Sequence, residues 1–128
     1  MTYTHDRMIS DDTFEGVEGR VRKALADHGF GVLTEIDVQA TMKTKLDAAM
    51  ARYTILGACN PKMAWKALEH EPRVGAMLPC NVILRDTEQG VEVSAVDPVA
   101  SMAAVDNARL KDVATDVRAL LARAVDAA

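Results

Sequence analysis

The chain has 128 residues, enough for one domain (1–128) that buries roughly two-thirds of its unfolded surface without disulfides or metals. With 49% hydrophobic residues, 27% charged residues and five aromatics, it reads as globular, with a core of aliphatic side chains and methionine. A net charge of −4, with no basic cluster larger than Lys43-Thr44-Lys45, argues against nucleic acid as a partner.

The opening MTYTHDRMIS lacks the apolar core of an export signal, and no run of about 18 apolar residues offers a membrane span. Residues 2–8 alternate weakly and fit a first strand. A helix follows in SDDTFEGVEGRVRKALADHGF, where Phe14, Val17, Val21, Leu25 and His28 share a face. Asp12 and Glu15 have the spacing of a capping box, and Gly29 stands where a helix stops. FGVLTEI (30–36) reads as a buried strand, Asp37 as the cap of a helix over 38–50, and RYTILGA (52–58) as another strand.

Asn60-Pro61 opens a helix over 61–70, with Asn at the N-cap and Pro in the first turn. VGAML (74–78) and NVILRD (81–86) look like strands separated by Pro79. TEQG (87–90) is a hairpin loop, and VEVSAV (91–96) returns with clean alternation. Asp97-Pro98 starts a further helix or turn. The last helix spans about 107–125, with Leu110, Val113, Val117, Leu120, Leu121 and Ala124 on one face. The order β-α-β-α-β-α-β-β-β-α predicts an α+β sandwich, with helices packed on a mixed sheet. A sheet face left open on a small acidic protein favours a homodimer.

FGVLTEIDVQATMKTKL, the pattern Y.ILGACNP..A..ALE.EP.VG..LPCNV and VSAVDP resemble the bacterial domain of unknown function 302 family over nearly the whole chain. The resemblance implies a small cytoplasmic homodimeric α/β domain and no established reaction. Trp65 stands where the resemblance leads one to expect a polar residue or His.

Two Cys-Asn units, Cys59-Asn60 and Cys80-Asn81, hold the only cysteines, and without an export signal these are expected to be free thiols in a reducing, cytoplasmic compartment. Cys59 lies between a strand end and a helix N-terminus, a place that favours a thiolate. CNPK has a thioredoxin-like outline, but Lys62 replaces the second cysteine. A Cys-x5-Arg phosphatase loop fails because Trp65 takes the arginine position. Free cysteine is also a good small core residue. Asn60 is explained as a cap; Asn81, in a strand where asparagine is depleted, either fills a bulge or faces a pocket.

Zinc held by Cys59, Cys80 and His70 is disfavoured, because His70 would sit roughly 13 Å along the helix from its start. Glu35 and Asp37 flank a strand end, where they would act as an acid/base pair or as a solvated residue beside a cap. Asp97 reads as a cap at the sheet edge. Met42, Met63, Met77 and Met102 read as core filler rather than a soft-metal path.

Three functions follow. The first is a small-ligand-binding homodimer with Cys59, Asn60, Cys80, Asn81, Glu35 and Asp97 near the ligand and no cofactor. The second is a thiol-dependent redox or transfer protein using Cys59 and Cys80. The third is a binder of Cu(I) or zinc through the two thiolates.

Overall fold

The computed structural model describes residues 2–128. The elements are β1 (Thr4–Ile9), α1 (Phe14–Asp27), β2 (Gly31–Asp37), α2 (Val38–Leu46), β3 (Tyr53–Cys59), α3 (Pro61–His70), a 3-10 turn (Pro72–Met77), β4 (Cys80–Thr87), β5 (Gly90–Val96), α4 (Pro98–Ser101) and α5 (Ala108–Ala127). The strands form one sheet in the order β1-β5-β4-β3-β2. The α+β class with helices packed on a sheet holds. The sheet, however, is antiparallel at every junction rather than mixed.

The physical reason lies in the connections. Strand-helix alternation suggests crossovers that carry the chain back to start a parallel neighbour. Here α3 runs outward from the end of β3, and the 3-10 turn brings the chain back to that same end, so β4 starts there and runs the other way. Residues 74–78 therefore form no strand. Pro72 and the Glu71 carboxylate, which accepts from the Arg73 amide at 3.5 Å, start the 3-10 turn instead, and Val74 fills the core from it.

The two long helices form as their periodicity demands. Phe14, Val17, Val21 and Leu25 of α1, and Leu110, Val113, Val117 and Leu121 of α5, are buried against the sheet. The cap of α1 lies one residue later than its sequence suggests: the Thr13 hydroxyl accepts from the Gly16 amide at 3.0 Å. Gly29 does terminate α1, with φ +85, and the Phe30 amide reaches back to the Leu25 carbonyl at 2.9 Å. At the other end of the layer, Arg7 donates to the Val125 carbonyl at 3.1 Å and the Asp126 carbonyl at 3.0 Å, so β1 caps the tail of α5.

Burial alternates along the central strands β3, β4 and β5, whereas the edge strand β2 is exposed along nearly its whole length rather than buried. Val82, Leu84, Val91, Val93, Leu56 and Ala58 point to the helices and are almost wholly buried. The opposite face carries three cross-strand rows. The middle row is Ile36–Ile55–Ile83–Ser94–Asp6. Helix α2 has no buried residue and stops at Leu46, where Asp47 turns left-handed with φ 51, four residues short of the expected end.

Candidate functional site

The end of the sheet where β3 and β4 meet the helices carries the residues the sequence singles out. Cys80 opens β4 and lies opposite Ala58 of β3, so Cys59 is the next residue along. Strict alternation would turn Cys59 away from the side of Ala58. It is the last residue of β3, where the chain bends into α3, and it lines the same cavity as Ala58 and Cys80. Asn60 caps α3 there: its side-chain oxygen accepts from the Met63 amide at 3.2 Å, with Pro61 beginning the helix.

The cavity is about 30 Å³ and is bordered by residues of α3 and α5 and by Phe30, Leu78, Pro98 and Met102. That volume holds one water or one heavy atom, and a water needs two or more polar partners. Asn60 is the one amide among the lining side chains, the rest being aliphatic, aromatic or sulfur-bearing, so the space favours a small apolar or soft occupant.

Burial sets the character of both thiols. It pushes the Cys59 thiol up from its ordinary value. For Cys80, burial and then the neighbouring Cys59 push it up to about 11. Desolvation thus outweighs the helix N-terminus that the sequence credits with favouring a thiolate at Cys59. The thiol-transfer reading needs an ionised nucleophile and a base, and no His, Asp or Glu lines the cavity.

The other candidates lie elsewhere. Asn81 pairs with Gly57 on the bare sheet face, is exposed, and makes no side-chain hydrogen bond among the described residues. Glu35 forms an ion pair with Arg22 of α1 at 3.2 Å. Asp37 caps α2 through the Ala40 amide at 2.9 Å, so the two carboxylates serve packing and capping. Asp97 caps α4, accepting from Val99 at 2.9 Å and Ala100 at 3.4 Å, and pairs with Arg118 at 3.3 Å. The backbone carbonyl of His70 accepts from Asn107 at 2.8 Å, which ties α3 to the cap of α5, and no group of three or more His, Cys, Asp and Glu side chains gathers as a metal site among the described residues.

Sequence reasoning missed two features. Met63 and Met102 join the cysteines at the cavity, because Met63 is three residues past the Asn60 cap and Met102 ends α4 under α5. The second is an open trough of about 570 Å³ on the bare face, where Tyr3, Tyr53, Asn81, Ile83, Arg85 and Glu92 are among the lining residues. Alternation in 91–96 marks Glu92 and Ser94 as that face, but only the register shows that Tyr53, Arg85, Glu92 and Met8 stand in one row.

The family model described as Domain of unknown function DUF302 matches residues 7–128. A crystal structure described as an uncharacterized conserved protein DUF302 from Bacillus stearothermophilus superposes with a TM-score of 0.92, at 24% identity, over 98% of each chain. At that identity the likeness shows the fold alone. No curated protein matches the chain.

Proposed function

We propose, from the premise that this chain belongs to the DUF302 domain family, that it is a binding protein working as a homodimer rather than a catalyst. The family's description assigns no reaction, so the reading rests on geometry. The observation that carries it is the cavity that Cys59, Asn60 and Cys80 line together, largely apolar and without a general base. A small ligand sits there, between the start of α3 and the first half of α5. Two free thiols, both held protonated by burial, fit a reducing cytoplasm. Among the described residues, no helix is long and apolar enough to cross a membrane. The partner is a second copy, docked on the bare sheet face.

The test of the cavity is small-probe binding. Xenon under pressure is expected to shift the methyl resonances of Val113, Val117 and Leu110 saturably, and Ala114→Leu, which fills the space, should abolish the response. Shifts confined to surface methyls would remove the site.

A further inference from the structure

Four sulfur-bearing side chains line one cavity: Cys59, Cys80, Met63 and Met102. The chain has nine such residues in all, seven Met and two Cys, and these four come from four different places: the end of β3, the start of β4, the first turn of α3 and the end of α4. Thiolate and thioether are soft ligands, and together they select Cu(I) over harder, oxygen-seeking cations. The rest of the lining supplies no carboxylate and no imidazole, so nothing in the cavity competes for the ion as a hard donor.

Two further features point the same way. The cavity of about 30 Å³ is too small for an organic ligand without movement of α3, but it is large enough for a single ion. Cys80 is 7% exposed and pairs across the sheet with Ala58, the residue before Cys59, so both cysteines stand at the same end of neighbouring strands and line one cavity. Met is also the residue that adapts most easily around an irregular space, having an unbranched chain with three rotatable bonds.

We infer that the cavity is a binding site for a single soft monovalent metal ion, Cu(I), held by the thiolates of Cys59 and Cys80 with the thioethers of Met63 and Met102 completing its surroundings. This rests on the reading of the cavity as the ligand site and names its ligand class. Binding breaks two S–H bonds and forms two S–Cu bonds. Both protons leave to solvent, and with the metal supplied as Cu(I) no atom changes oxidation state.

The experiment is an anaerobic titration of the full chain with Cu(I) against a chromophoric Cu(I) chelator, repeated with Ag(I), and read by native mass spectrometry. The expected result is one ion per chain. Cys80→Ala and Cys59→Ala should each weaken retention by about tenfold or more, and the Met63→Leu/Met102→Leu double variant should weaken it by a smaller but resolvable factor. Leucine preserves apolar volume, so circular dichroism of the double variant reports that the fold is kept. Retention unchanged in the double variant would overturn the role of the thioethers. No retained ion in the wild-type chain would overturn the metal site altogether. Xenon separates the two readings: a xenon response without metal retention leaves the cavity as a site for another small ligand, and neither response removes both.

Discussion

At the scale of the residue, Cys80 and Asn60 can be tested apart from any ligand. The Cys80 thiol is pushed up to about 11 from 9.0, chiefly by burial. Below the unfolded value both states keep the proton, and the group contributes nothing to the pH dependence. As pH rises between the two values, the unfolded chain ionises while the native one cannot, so stability is lost. Urea unfolding should show wild-type stability falling by roughly 2 kcal/mol more than that of Cys80→Ala between about pH 8 and pH 10.5. Equal slopes for the two proteins would contradict the burial argument. The same shift leaves about a hundredfold less thiolate at neutral pH than in an ordinary thiol, so Cys80 should alkylate far more slowly than a free cysteine. Asn60→Ala removes the α3 cap and is expected to cost about 1 kcal/mol by chemical denaturation. That role was legible in the sequence, because Asn-Pro at a helix start has one local meaning. Asn81 was not, since its side chain answers to a cross-strand row that no local pattern encodes.

Among the elements, the close meeting of β2, β3 and the Pro79 segment depends on Gly57. A Cβ there would lie 2.2 Å from the Thr34 hydroxyl and 2.7 Å from Cγ of Pro79. The threonine has a rotamer to give, but the proline ring does not, so Gly57→Ala should destabilise by about 1–3 kcal/mol. Thermal melts of Gly57→Ala and of Gly57→Ala/Thr34→Ala test this: relief by the second change should be partial, and full relief would show that Pro79 offers no obstacle. Helix α2 presents the opposite case, an element with no buried side chain. Its amides should exchange with deuterium well before those of α1 and α5, which carry the core. The sequence announces α1 and α5 by their periodic apolar faces and the β4–β5 hairpin by its alternation. It misleads at 74–78, where a short apolar run has the composition of a strand but Pro72 and the Glu71 cap wind it into a 3-10 turn, and at the sheet's direction, which is set by where that turn returns the chain.

For the whole molecule, the distribution of cover argues for self-association. All the packed helices lie on one face of the sheet, and the other face shows Tyr3 at 71%, Ile36 at 46% and Met8 at 40% exposure. Its middle row runs apolar to acidic, from Ile36, Ile55 and Ile83 to Ser94 and Asp6. Five strands about 4.8 Å apart and roughly 20 Å long give a footprint of about 500 Å² in projection. A side-chain-covered face of that size approaches the ~800 Å² of accessible surface per partner in a stable interface. Two copies related by a two-fold axis would lay one isoleucine row against the other, and the flanking Arg85 and Glu92, already paired at 2.7 Å, would form part of a polar rim. Ile83 stands at the centre of this arrangement, in the trough and between Ile55 and Ser94. A lysine there faces water in a monomer but would bury an unpaired charge in the dimer. Light scattering should therefore give the wild-type chain twice its 13.8 kDa mass and Ile83→Lys the single mass, with both circular dichroism spectra alike. A wild-type chain that stays at 13.8 kDa at every concentration would refute the dimer, and a dimer that survives Ile83→Lys would move its interface off this face.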